Sequence, residues 1–432
     1  MEPDGRRIDL ALRRIPASRR AGRIGTLLVN PGGPGASGVD IASEVRSRLP
    51  ASIRAAFDVV GWDPRGTGRS APVRCGRDLD YLFAPDTAPD SAAERDDLER
   101  AADRFAAGCA RRSGDLLAHV SSFDTVRDIE AIRAALGERR ISYLGYSYGT
   151  LLGALYAQAH PDRVRAMVLD GGVDPSIPPD RMLIEQAQGF DEGLARFVRW
   201  CDSTRSCAFS GVDEGGTAAR YERVRADIDA HPRPIGGRRF GPTQLDLAVG
   251  SALYSGRDAY PLLAESLAAL DAGRPQSLLQ LADAYVGRTG NGRYDRSWGA
   301  FMAVSCLDGP AIGGPEVLAD LSARAATEAP AFGAASVGLG QPCATWRVRP
   351  VQAAAAPVRP VGVPPVVVIG TKGDPATPLR WAEGLAEQLG ARLVVAPGSQ
   401  HTSYPAGDDC LDPIVERYLR TGRTRAGTVD CS

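Results

Sequence analysis

Gly145-Tyr146-Ser147-Tyr148-Gly149 stands directly behind the apolar run Ile141-Ser142-Tyr143-Leu144 and directly ahead of the small, apolar residues 150–159. A G-x-S-x-G held between a strand-like and a helix-like run forces a sharp strand-to-helix turn, with the serine hydroxyl held clear of the backbone. Glycines flank the serine because neither neighbouring position leaves room for a side chain. With 49 glycines in the chain, the pentapeptide alone could arise by chance. Its context makes Ser147 a candidate nucleophile rather than a turn serine.

The surrounding rhythm agrees with such a turn. Residues 8–12 alternate in part, residues 25–29 and 57–61 are short apolar runs, and residues 164–169 form another. Between them, Val126, Ile129, Ile132 and Leu136 recur at helical spacing before Gly137, which predicts a helix over 125–136. Strands alternating with helices predict βαβ units and a mainly parallel sheet. From about residue 174 to 350 the strand rhythm lapses, and residues 182–200, 243–253 and 261–272 read as helices. Residues 349–365, rich in Ala and Pro, read as a connector. Strands return at 365–370 and 392–396, followed by a last helix at 413–419. The expectation is an α/β core in two parts, 1–173 and 351–432, interrupted by a helical lid over 174–350. No internal repeat is visible.

At 432 residues the chain can bury a large core, and 44% hydrophobic with 24% charged residues is ordinary for a globular protein. Lys+Arg 51 against Asp+Glu 52 leaves no net field to favour nucleic acid or an anionic membrane, and no apolar stretch approaches a membrane span. Cys75, Cys109, Cys201, Cys207, Cys306, Cys343, Cys410 and Cys431 form an even set without metal-ligand spacing. Eight cysteines allow 105 pairings. Sequential pairing (75 with 109, 201 with 207, 306 with 343, 410 with 431) is the simplest expectation and implies an oxidising compartment. Residues 1–20 are charged and show no signal peptide. The reading is an exported protein presented in trimmed form, with a cytoplasmic one as the alternative.

A serine hydroxyl needs a base, an acid to orient that base, and donors for the developing oxyanion. Only four histidines are available. His119, His160 and His231 lie in positions that read as structural. His401 follows the strand at 392–396 through Pro397-Gly398-Ser399-Gln400, on the strand edge where ligands gather in open α/β sheets. The acid should lie between serine and histidine in the chain. Asp374, in the loop after Val366-Val367-Val368-Ile369-Gly370, fits, and Asp170 is its rival, with a loop-bracing role as the alternative. The loop Asn30-Pro31-Gly32-Gly33-Pro34-Gly35 can turn a backbone N–H toward the reacting carbonyl; Gly33 is the first choice, Gly32 the alternate, paired with the N–H of Tyr148. A phosphate-loop reading fails, since the Walker lysine and a G-x-G-x-x-G are missing. Asp63 and Arg65 read as a bracing ion pair. No metal or organic cofactor is implied.

With these pieces placed, the chain resembles the tripeptidyl aminopeptidase and prolyl aminopeptidase branch of the α/β-hydrolases, serine exopeptidases of peptidase family S33. The resemblance rests on N-P-G-G-P-G-A-S-G at 30–38, D-P-R-G-T-G-R-S at 63–70, G-Y-S-Y-G-T at 145–150, G-D-P-A-T-P at 373–378 and G-S-Q-H at 398–401. It covers nearly the whole chain, the last part being similar to the TAP-like C-terminal domain of that branch. It implies an α/β-hydrolase fold with a helical cap, and secreted enzymes that remove short peptides from a free N-terminus through an acyl-enzyme. By position it makes Ser147 the nucleophile, Asp374 the acid and His401 the base. An aminopeptidase must read a protonated amine, so Glu185, Asp191 and Glu192 in the first cap helix are candidate substrate-binding acids. Two other readings compete: an esterase or lipase-like hydrolase of small acyl esters, and a binding protein on an inactive hydrolase fold. The expected partner is a peptide or small acyl substrate, and the expected state a monomer.

Overall fold

Alternation by two decides which face of the sheet each central side chain takes. Leu27 and Val29, Val59, Leu144, Ala166 and Val168, and Val367 and Ile369 pack on one face. Leu28, Val60, Tyr143, Met167 and Leu169, and Val366 and Val368 pack on the other. Strands buried on both faces read as near-continuous apolar runs, as parallel strands covered by helices must. The computed structural model describes residues 7–211, 214–309, 315–348 and 356–432. In it β1 (Leu12–Ile15), β2 (Gly25–Asn30), β3 (Phe57–Trp62), β4 (Ile141–Tyr146) and β5 (Val164–Asp170) lead to a hairpin, β6 (Arg233–Ile235) and β7 (Arg238–Phe240). Then follow β8 (Val367–Thr371), β9 (Arg392–Ala396) and β10 (Gly427–Asp430).

Eight strands form one sheet in the order β1-β3-β2-β4-β5-β8-β9-β10. Only β1 runs antiparallel, against β3; the other pairs are parallel. The expected first strand at 8–12 lies instead at β1, four residues with a mostly exposed pattern. Neither the hairpin nor β10 is legible in the sequence. β10 is Gly-Thr-Val-Asp, largely exposed, and it exists by pairing with β9 and by the Cys410–Cys431 bridge behind it.

Between β5 and β8 most of the described residues are helical, with long helices at Pro179–Ser203, Pro242–Tyr254, Tyr260–Asp271 and Ser297–Asp308. Their apolar faces share one cluster, built on Phe190, Phe197, Leu245, Leu263 and Met302. That cluster also takes in Val73, Phe83, Phe105 and Leu117, from ahead of residue 173. The helix Ala92–Ser113 thus packs with the insertion although it precedes β4 in the chain. Cys75–Cys109, Cys201–Cys207, Cys306–Cys343 and Cys410–Cys431 are disulfides, the sequential pattern, and no described cysteine is free. No helix among the described residues is long and apolar enough to cross a membrane. Of the connector expected at 349–365, residues 349–355 lie outside the described residues.

Candidate active site

β4 ends at Tyr146 and the helix Tyr148–Ala159 begins two residues later, so Ser147 carries the whole turn, at φ 53° and ψ −126°. A non-glycine residue there is strained and persists because its surroundings over-determine it. The Ser147 N–H donates to the Asp170 carbonyl at 2.8 Å and the Tyr143 hydroxyl to the Gly149 carbonyl at 2.7 Å. A side chain on either flanking glycine would break the turn. A Cβ at residue 145 would stand 2.5 Å from the Gly149 carbonyl oxygen, and one at residue 149 would stand 2.7 Å from Asn30 Oδ1.

The loop after β2 folds over this elbow. Gly32 has φ +88°, and a Cβ there would lie 2.5 Å from the Tyr146 carbonyl oxygen and 3.1 Å from the Tyr148 nitrogen. Its N–H donates to Asn30 Oδ1 at 2.9 Å. The Gly33 N–H has no acceptor among the described residues. The Tyr148 hydroxyl lies 2.6 Å from Ser122 Oγ, which donates to Asp308 Oδ2 at 2.5 Å. Asp308 also accepts the Ser122 N–H at 2.9 Å, and burial lifts its pKa to about 6.

Asp374 lies beyond β8 and is almost fully buried. Its oxygens accept the N–H groups of Ala376 and Thr377 and the Thr377 hydroxyl at 2.8–2.9 Å. His401 Nδ1 lies 3.0 and 2.9 Å from the two oxygens. Nδ1–H is therefore the donor to the carboxylate, and Nε2 is left with its lone pair. Burial works against a charged His401 ring. The charge and hydrogen bond of Asp374, with a further contribution from Asp170, outweigh it, and the pKa lies above 6.5.

Ser147 and His401 both border the Asp170–Gly171 corner. A Cβ on Gly171 would lie 3.3 Å from His401 Cε1, and residue 170 holds the Ser147 N–H. No hydrogen bond joins Ser147 Oγ to His401 among the described residues. Asp170, fully buried, does not touch the His401 ring; its Oδ2 accepts the N–H groups of Ser403 and Tyr404 at 2.9 and 2.6 Å. Its Oδ1 has no partner, and burial lifts its pKa to about 7. It braces the loop that carries the histidine.

The remaining expectations divide. His160 ends its helix and packs on Tyr156, while the exposed His231 lies 3.3 Å from Asp227. His119 offers its carbonyl to Arg65. Asp63 and Arg65 do not pair with each other. Asp63 accepts Ser37 Oγ and the N–H groups of Val39 and Arg69, whereas Arg65 turns away and forks onto Asp128 at 2.7 and 2.6 Å. Glu185 is held by Arg181, Arg380 and Trp381, and Asp191 by the N–H groups of Ala331 and Phe332. Both carboxylates are engaged within the protein. Glu192 is exposed, 3.6 Å from Arg196.

Two neighbours of the histidine escaped sequence reasoning. Thr377 Oγ1, inside the G-D-P-A-T-P motif, lies 3.3 Å from His401 Nδ1. Tyr254, at the end of the helix Pro242–Tyr254, stands edge-on to the His401 ring with centroids 5.2 Å apart, and its carbonyl accepts the His401 backbone N–H at 2.8 Å. The first could have been found from its motif. The second has no local signal, because the contact joins residues 147 positions apart.

A family model described as alpha/beta hydrolase fold matches residues 25–408. Serine protease Hip1 of Mycobacterium tuberculosis is 36% identical, over 99% of this chain and 84% of its own length. Tripeptidyl aminopeptidase of Streptomyces lividans is 34% identical, over 100% of this chain and 81% of its own. Carboxylesterase B of Mycobacterium tuberculosis is 36% identical, over 100% and 84%. The elbow, the parallel sheet and these matches together place the chain in the α/β-hydrolase family.

Proposed function

We propose that this protein is a serine exopeptidase that releases short peptides, tripeptides foremost, from the free N-terminus of a peptide through an acyl-enzyme. The observation that carries the reading is the convergence of the strained Ser147 elbow and the Asp374–His401 pair at one corner, the Asp170–Gly171 turn. Relatives named serine protease and tripeptidyl aminopeptidase, matched along nearly the whole chain, support peptide as the substrate.

Ser147 Oγ attacks the carbonyl carbon of the scissile bond while His401 Nε2 takes its proton. Asp374 holds the ring by Nδ1 and stabilises the imidazolium. The N–H groups of Gly33 and Tyr148 receive the oxyanion. The free Gly33 donor favours it over Gly32, whose N–H is already held by Asn30. Losing one such donor costs on the order of 3 kcal/mol. His401 then protonates the leaving amine, the C–N bond breaks, and water enters by the same route to release the acid and restore the serine. The Ser147–His401 hydrogen bond forms in the substrate complex, where catalytic contacts tighten. The helices between β5 and β8, spanning about residues 174–350, act as the cap over this corner. Four disulfides fit an oxidising compartment, which supports export as the localisation.

An esterase of small acyl esters uses the same residues, and the relative named carboxylesterase B favours it. The test is hydrolysis of a free-amine tripeptide p-nitroanilide beside its acetylated twin and p-nitrophenyl butyrate, with Ser147→Ala as control. Cleavage of the free-amine peptide alone, lost in the variant, is expected. Turnover of the ester alone moves the assignment to an esterase.

A further inference from the structure

Arg77, Arg104, Arg111 and Arg112 surround a cavity of about 210 Å³ together with Tyr81 and a single acid, Asp78. The cavity shares no residue with the candidate active site. Surface arginines in this protein are commonly answered by a carboxylate, as Arg100 on the same helix is by Asp97. None of the four lining arginines has an acid within ion-pair distance among the described residues. Four like charges sharing one concavity repel one another, and the repulsion is relieved by an anion.

Two of the four exposed arginines are held in advance. Arg112 Nη1 donates to the carbonyls of Cys75 and Gly108, both at 3.2 Å. The Arg104 guanidinium stacks over the Tyr81 ring, 3.7 Å from its centroid. The Cys75–Cys109 disulfide ties the loop that carries Arg77 to the helix Ala92–Ser113, which carries the other three. The Tyr81 hydroxyl has no hydrogen-bond partner among the described residues. Burial raises its pKa against the opposing pull of Arg104, Arg112 and Arg111, so three guanidiniums lie near one free phenol.

We propose that this cavity is a binding site for a phosphate-type oxoanion. Guanidinium forks match phosphate oxygens in pairs, the Tyr81 hydroxyl adds a neutral donor, and prefixed donors bind with less loss of side-chain entropy. A volume of about 210 Å³ equals roughly seven water molecules, enough for a phosphate group and the first atoms of an ester. The oxoanion comes either as free phosphate or as a lipid headgroup, and the chemistry of the site is the same for both.

The test is isothermal titration of the full chain with inorganic phosphate at constant ionic strength, beside co-sedimentation with phosphatidylcholine vesicles containing phosphatidylglycerol. Each is run on wild type, on Arg104→Gln/Arg111→Gln and on Arg139→Gln/Arg423→Gln, which removes two exposed charges elsewhere. Equal melting temperatures of the three proteins establish that the exposed substitutions leave the fold intact. Saturable binding of phosphate, weakened about tenfold in the first double variant and unchanged in the second, is the expected result. Tyr81→Phe weakens it about threefold. Vesicle binding with the same pattern, without saturation by phosphate, assigns the site to a headgroup. Failure of both probes to saturate, or equal weakening in both double variants, overturns the proposal.

Discussion

Ser147 and His401, the proposed nucleophile and base, are held in different ways. Ser147 is fixed by the sheet and the helix that follows it, by the Asp170 carbonyl of the adjacent strand, by Thr150, and by glycines that let β4 and its helix close up. His401 is fixed from two sides, by Asp374 and the Asp170-braced loop below and by Tyr254 of the cap above. The histidine, unlike the serine, thus depends on a contact from the helices between β5 and β8. The cap is also the less settled body electrostatically. Asp246 is buried within it, neither oxygen has a hydrogen bond, and its pKa is lifted to about 7 by burial against the pull of Arg225.

That contrast can be broken in several places. The largest effect belongs to Ser147→Ala, which lowers kcat/KM about 10⁴-fold or more with an unchanged melting curve; residual turnover near the wild-type rate would remove the serine from the chemistry. Next comes Asp246→Asn. The carboxyl's pKa is higher folded than unfolded, so stability falls as pH rises from about 4 to about 7, and the amide abolishes that slope. A gain on the order of 2–4 kcal/mol at pH 8, read from denaturant melts across pH, is expected. Parallel pH curves for the two proteins would show that the buried charge is compensated.

Tyr254→Ala sharpens the comparison further. It lowers kcat about tenfold with little change in KM, while Tyr254→Phe keeps the ring contact and most of the rate. A change in KM alone would make the cap a cover and not a brace. The smallest effect is a shift in pH profile. Activity requires neutral His401, so kcat/KM falls as pH drops through a pKa above 6.5. Asp170→Asn removes one carboxylate that raises this pKa, and the acid limb moves to lower pH.

How much of this was readable beforehand follows the same divide. The central strands and the elbow are local: apolar runs, glycines and a serine at fixed offsets, each enforced by neighbours within a few residues. β4, β5 and β9 accordingly fall where the apolar runs put them, and the G-D-P-A-T-P motif marks the loop that receives His401. The cap is held by contacts remote in sequence, such as Phe83 with Trp298 or Asp191 with Phe332. Composition therefore shows helices there but not which acids they engage, such as Glu185 with Trp381. Arg65 was assigned to Asp63 by proximity in the chain, but the partner it reaches, Asp128, sits on a helix 63 positions away. β10 carries too little apolar surface to register at all.

Asp170 has one consequence beyond bracing. Its carbonyl grips the nucleophile's turn and its carboxylate grips the loop of the base, so a single residue spans both halves of the reaction centre. The separation between Ser147 and the loop of His401 is thereby gauged by the reach of one aspartate side chain. A glutamate there would add a methylene to that gauge and move the two groups apart without altering either, turning the reaction's geometry into a matter of bond lengths in a residue that never meets the substrate.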